Sequence, residues 1–181
     1  LACVSAEFPG RAVARRPDGK VAVLLLGPEL GAVSGVSTHL NQLFGSSLGG
    51  EFDLQHFVVG SEGRQESRVG KLARLLVSPL ALAARIMRDR PDIVHINVSL
   101  DHKSFPRDAV YLAVARLLRR RVVFQIHGGE MPQDLYPSPI LREQFVHRVL
   151  EAPTVVVLLG SSELAAYSKF VPDKRLEVIP N

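Results

Sequence analysis

The sequence predicts an α/β fold: a Rossmann-like parallel sheet with helices on both faces. Two observations carry this. Short, continuously apolar runs such as Val21–Leu26 and Val155–Leu159 alternate with longer amphipathic segments, as expected for strands buried on both faces and joined by crossover helices. Polar or glycine-rich segments follow these runs, at the carboxyl ends of strands where open parallel sheets bind ligands.

Residues 1–19 form a polar leader rich in Pro and Arg, without periodicity and expected to be flexible; one domain is expected over 20–181. Its first strand follows Lys20 and leads into the glycine- and serine-rich loop Gly27–Ser34. A helix is expected from about Gly35 to Leu48, burying Val36, Leu40, Leu43 and Phe44 and ended by Gly49 and Gly50. Phe52–Val59 is the second strand, followed by a polar, mobile loop over Ser61–Ser67. The next helix, Val69 to Arg88, carries apolar Leu72, Leu75, Leu76, Leu80, Ala83 and Met87, with a kink or fresh start at Pro79.

Ile93–Val98 is the third strand and Pro106–Leu118 a helix closed by the positive charge of Arg119–Arg121. The fourth strand, Val122–Ile126, runs into His127, Gly128, Gly129 and Glu130. After a turn-rich stretch, Met131–Pro139, come a helix Ile140–Leu150 and a strand Thr154–Leu159. A short helix capped by serine at Ser161 runs to Phe170, and Leu176–Ile179 is the last strand.

Composition narrows the function classes. The 181 residues are 46% hydrophobic, enough for one well-packed domain. The single cysteine, Cys3, excludes a disulfide scaffold and a cysteine-rich zinc site and suits a cytoplasmic protein. No apolar run approaches the length of a membrane span. The net charge of +4 comes with arginine clusters: Arg64, Arg68, Lys71 and Arg74; Arg85, Arg88 and Arg90; Arg116 and Arg119–Arg121. These form a solvated face or attract phosphates, nucleotides or anionic lipid. No basic, aromatic-interleaved strand or recognition helix points to nucleic acid.

The first loop allows tight turns and close approach of a ligand to backbone N–H groups through Gly31, Ser34 and Gly35. Its glycine spacing matches neither the nicotinamide-cofactor fingerprint nor a phosphate-binding P-loop. His127, at a strand end and before two glycines, is placed to hydrogen-bond a sugar hydroxyl or a developing charge, or to serve structurally. Asn97, Asp101 and His102 shape the same cleft, with Gly128 and Glu130. His95, inside its strand, reads as structural; His56 as an exposed strand residue; His39 and His147 carry no evident role. His95, His102 and Glu130 can converge, but no spacing resembles a metal-ligand run, and no nucleophile elbow is present.

Four pieces in order carry a resemblance over Lys20 to Asn181. They are the strand, glycine loop and helix of Val21–Leu43; the segment Arg90–Asn97, with Pro91, Asp92 and His95; Val122–Gly128, ending in His127; and Val155–Leu159 with Ser161–Glu163 and the tail Leu176–Asn181. Together they resemble the N-terminal domain of the retaining glycosyltransferases of the two-Rossmann-domain GT-B fold, the family 4 or group 1 type. The resemblance implies a nucleotide-sugar donor as substrate, no cofactor and no strict metal requirement. It implies a glycan or lipid-linked acceptor and retention of configuration. It matches His127 to the histidine that reaches the donor sugar, and Gly35, with Gly31 and Ser34, to the loop near the donor phosphates. Ser34 stands where the family often has a second glycine. The tail resembles the junction to a donor-binding domain expected beyond Asn181, so this chain is expected to be inactive alone. Many such enzymes attach peripherally to the cytoplasmic face of a membrane. Here Leu75, Leu76 and Val77 among arginines fit that contact, or a helix packed on the sheet, the preferred reading. A non-catalytic ligand-binding or regulatory domain would share the fold. A nicotinamide-dependent oxidoreductase would need a different first loop.

Overall fold

A computed structural model describes residues 19–60, 67–136 and 138–180. The leader through residue 18 and most of the expected mobile loop, 61–66, lie outside the described residues.

Six parallel strands form one sheet in the order β2-β1-β3-β4-β5-β6. They are β1 (Val21–Gly27), β2 (Phe52–Val58), β3 (Ile93–Leu100), β4 (Arg121–Gly129), β5 (Val155–Leu158) and β6 (Leu176–Val178). Because β2 lies on one side of β1 and all later strands on the other, right-handed crossovers place helices on opposite faces. On one face, α1 (Gly35–Gly45) buries Leu40 against Val23 and Leu25. The larger core lies on the other face. There α3 (Arg68–Asp89) brings Leu82 and Ile86, and α4 (Ser104–Leu117) brings Phe105, Tyr111, Leu112 and Ala115, onto Leu24, Leu26, Val94, Ile96 and Phe124. Leu150 from α6 (His147–Glu151) and Tyr167 from α7 (Ser161–Phe170) complete it. A hydrogen bond of 2.7 Å between the Ser78 and Tyr111 hydroxyls ties α3 to α4.

The local chemistry sets several boundaries differently from the sequence expectation. The first helix stops at Gly45, where the Ser46 N–H bonds the Leu43 carbonyl; Gly49 and Gly50 sit inside a separate turn, α2 (Leu48–Glu51). In α3, Pro79 is accommodated within a helix that runs on to Asp89 and closes at Arg90 in the left-handed region (φ 48°). The expected packing of Leu75, Leu76 and Val77 on the sheet is corrected. They are 46%, 69% and 59% exposed, with Leu80 and Met87 also at the surface. The helix ending in Leu150 is interrupted: α5 (Pro139–Leu141) passes through a π-helical stretch, Arg142–Val146, before α6. Gly160, not a serine, caps α7, and the Glu163 carboxylate accepts the backbone N–H groups of Leu159 (3.1 Å) and Gly160 (3.4 Å). His56 is half-buried beside Phe44, not exposed, and burial lowers its pKa.

Candidate functional site

The strand order reverses between β1 and β3, so the loops leaving them diverge to opposite faces and open a crevice at their carboxyl ends. The residues of this crevice follow the period-two alternation of strands. On β3, Val94, Ile96 and Val98 enter the large core, which sends His95, Asn97 and Ser99 to the α1 face. On β4, Val122, Phe124 and Ile126 do the same, which sends Gln125 and His127 to that face. The result is a polar ladder across two buried strands.

The rungs are diagonal hydrogen bonds. His95 Nε2 lies 2.9 Å from Gln125 Oε1, and His127 Nε2 lies 2.8 Å from Asn97 Oδ1. The Asn97 amide donates through Nδ2 to the Leu26 carbonyl at 2.9 Å, so its oxygen must face His127. His127 Nε2 therefore carries the proton, and Nδ1 is the ring's acceptor. His39 of α1 meets the His127 ring edge-on at 4.8 Å. Burial, then the neighbouring His39 and His95, draw His127 down to about 4. Burial likewise draws His95 to about 4, with Gln125 opposing it and His39 adding to it. Both imidazoles are neutral at pH 7. His95 is a satisfied structural residue, in line with the sequence reading.

His127 lies inside β4 and not after it, because pairing with β3 continues past the expected end, through a bulge at Val98 and Leu100 that sets Leu100 opposite Gly129. Gly128 and Gly129 follow with φ of 85° and 114°, the left-handed region that glycine tolerates. At Gly129 a Cβ would come within 2.4 Å of the Leu100 carbonyl oxygen, so this close approach needs glycine.

Of the first-loop residues, Gly31 and Gly35 have open space beside them, and Gly35 begins α1. The Ser34 hydroxyl is engaged by the helix it caps: it accepts the Ser37 N–H at 3.2 Å and bonds the Ser37 hydroxyl. Asp101 braces the turn that leads into α4, its Oδ1 accepting the N–H groups of Lys103 and Ser104, each at 2.9 Å, while Oδ2 accepts the Ser104 hydroxyl. Burial opposes the Asp101 charge, but these bonds hold its pKa below the ordinary value. His102 and Glu130 sit together at the rim, 3.5 Å apart and exposed, with His102 beside Tyr136.

Sequence reasoning missed His39, Gln125 and Arg107 here. The first two were legible as polar residues facing His127: Gln125 two positions before it on one strand, His39 on the helix that follows the glycine loop. Arg107 carried no such signal. It lies a turn into α4 and pairs with the fully buried Asp108, Nε to Oδ1 at 2.7 Å and Nη2 to Oδ2 at 3.1 Å. Among the described residues no group of three or more His, Cys, Asp or Glu side chains is arranged to hold a metal ion. No described helix is long and apolar enough to cross a membrane.

A parallel sheet with a polar crevice at its β1–β3 reversal defines a Rossmann-like domain. The model of Glycosyltransferase Family 4 matches residues 36–181, and the chain belongs to that family. Among solved structures, sucrose-phosphate synthase from Thermosynechococcus elongatus is similar, with a TM-score of 0.61 and 13% identity over 89% of this chain. The chain spans 48% of that structure's length, and at this identity the likeness shows the fold. No curated protein matches the chain.

Proposed function

We propose that this chain forms the acceptor-side half of a glycosyltransferase that moves a sugar from a nucleotide-sugar donor to a glycan or lipid-linked acceptor with retention of configuration. Family membership supports the reaction class. The observation that carries the site is the held, neutral His127. With Nε2–H committed to Asn97, its Nδ1 accepts a hydrogen bond from a hydroxyl of the donor sugar. An imidazole fixed in one tautomer orients a sugar without supplying charge.

The donor diphosphate approaches the start of α1, where Gly31 and Gly35 leave room and the helix N-terminus favours an anion. Ser34 contributes indirectly, by capping that helix. Asn97 positions His127. Asp101, His102, Gly128 and Glu130 line the acceptor side. No cofactor takes part, and the reaction needs no metal; unchanged turnover in a chelator tests this. The remaining donor contacts belong to a second domain, so the 181-residue chain alone turns over nothing. The enzyme works on the cytoplasmic face of a membrane, touching it through the exposed apolar residues of α3. The direct test is nucleotide release from nucleotide-sugars by the full-length protein and its His127→Ala variant.

A further inference from the structure

Beside the His127 ladder lies a small cavity of about 120 Å³ at the β1–β3 crevice, lined in part by Asn97, Ser99, Asp101, Ser104 and Arg107. We propose that this cavity is a subsite for an uncharged, hydroxyl-rich group, one edge of a neutral sugar or polyol ring, and that it rejects phosphorylated or carboxylated groups. The inference rests on the transferase reading and names the chemistry of its acceptor.

Two features in the cavity wall would ordinarily attract an anion, a guanidinium and the N-terminus of a helix of 14 residues. Both are already neutralised from within the chain. Asp108 takes Nε and Nη2 of Arg107, and Asp101 takes the Ser104 N–H with its carboxylate and the Phe105 N–H with its backbone carbonyl. The charged groups lining the cavity are therefore one guanidinium, Arg107, and one carboxylate, Asp101, with the guanidinium already paired to the buried Asp108 behind it. Burial pushes Asp108 up to about 6 against the pull of Arg107, which still leaves it largely ionised at pH 7. A phosphate would bring only acceptors and negative charge to a cavity whose described lining holds no surplus of positive charge.

A vicinal diol fits the same groups. Asp101 accepts from a hydroxyl that in turn accepts from Arg107 or Ser99. The Arg107 Nη1 atom faces Gly60, lying 3.3 Å from where a Cβ on that glycine would stand. Pro28, Val36 and Val59 supply an apolar wall for ring C–H groups. The volume is well below that of sites that enclose whole drug-sized ligands, which suits a ring edge and excludes a lipid tail.

The test is a titration of this chain, followed at the backbone amides of Gly60, Ser99 and Ser104 by nuclear magnetic resonance. The neutral probes are glucose, mannose and myo-inositol; the anionic ones are glucose 6-phosphate, glucuronate and inorganic phosphate. At least one neutral probe is expected to shift these amides saturably in the millimolar range, with its anionic counterparts about tenfold weaker or more, as an unpaired like charge dictates. Asp101→Asn, which keeps an Oδ1 acceptor for the Lys103 and Ser104 N–H groups, is expected to narrow that preference while leaving the melting temperature close to wild type. Should Asp101→Asn unfold the chain, the wild-type titration alone decides. Equal or tighter binding of phosphate or glucose 6-phosphate, or no saturable shift with any neutral probe, overturns the proposal. Nucleotide release is measured separately. Loss of that activity with the neutral preference intact sinks the transferase reading and not the subsite, and the reverse result sinks only the subsite.

Discussion

His95 and His127 are both drawn down to about 4 from an ordinary value of 6.5, chiefly by burial. The groups facing them are His39, Gln125 and Asn97, none of which offers a negative charge. Because the unfolded chain protonates these rings at a higher pH than the native chain does, unfolding takes up protons between pH 6.5 and 4. Stability is therefore fully present above pH 6.5 and falls as the pH drops towards 4. Denaturant melts across this window are expected to show that slope, and the double variant His95→Gln with His127→Gln to flatten it. Gly129 gives a second prediction. Its φ of 114° and the Leu100 carbonyl 2.4 Å from a Cβ leave no room for a side chain. Gly129→Ala is expected to cost at least about 2 kcal/mol by the same melts, whereas Gly31→Ala, in open space, is expected to cost little. His127 and its two glycines stood out in the sequence, but its partner did not. The bond to Asn97 depends on the register of two strands 30 residues apart in the chain, which no local pattern encodes.

Among the helices, α3 departs furthest from its sequence pattern. The sequence reading took Leu72, Leu75, Leu76, Leu80, Ala83 and Met87 as its apolar set, yet the buried pair is Leu82 and Ile86, outside that set, while Leu75, Leu76, Leu80 and Met87 face outward. Periodicity gave the helix and its length; the buried face is chosen by the neighbouring α4, through contacts such as Ser78 with Tyr111. Leu82→Ala and Ile86→Ala are expected to destabilise by roughly 2–5 kcal/mol, and Leu76→Ser and Leu80→Ser by under about 0.5 kcal/mol. The membrane contact proposed for α3 rests on its exposed apolar set, with Arg74 on the same helix and Arg85 and Arg88 paired to Asp89. Co-sedimentation is expected with vesicles containing phosphatidylglycerol but not with phosphatidylcholine alone, and to be lost in the Leu76→Ser, Leu80→Ser double variant. Equal recovery with both vesicle types would remove the membrane contact. The strands were more legible than the helices: β1 and β5 read as unbroken apolar runs, and in β3 and β4 apolar residues alternate with the polar ones that form the ladder. The glycine pair at 49 and 50 misled because Ser46 stops the helix first.

At the scale of the whole molecule, repeated strand–helix alternation was enough to predict a parallel sheet, and right-handed crossovers do the rest. The order β2-β1-β3-β4-β5-β6 then fixes where chemistry collects, because only one pair of neighbouring strands sends its loops apart. The glycine loop, the Asn97–His127 ladder and the Arg107 cavity all meet at that reversal. What the sequence withheld was the pairing of Arg107 with Asp108, the commitment of Ser34 to a helix cap and that of Asp101 to the turn before α4, each a short-range choice among competing hydrogen bonds. The central claim is that this crevice presents a donor sugar to the neutral imidazole of His127. It is tested most directly by nucleotide release from a panel of nucleotide-sugars by the full-length protein, wild type against His127→Ala. The account predicts release from at least one donor, lowered by roughly 10²-fold in the variant with the melting temperature nearly unchanged. Release that is unaffected by His127→Ala, or absent with every donor tried, would contradict it.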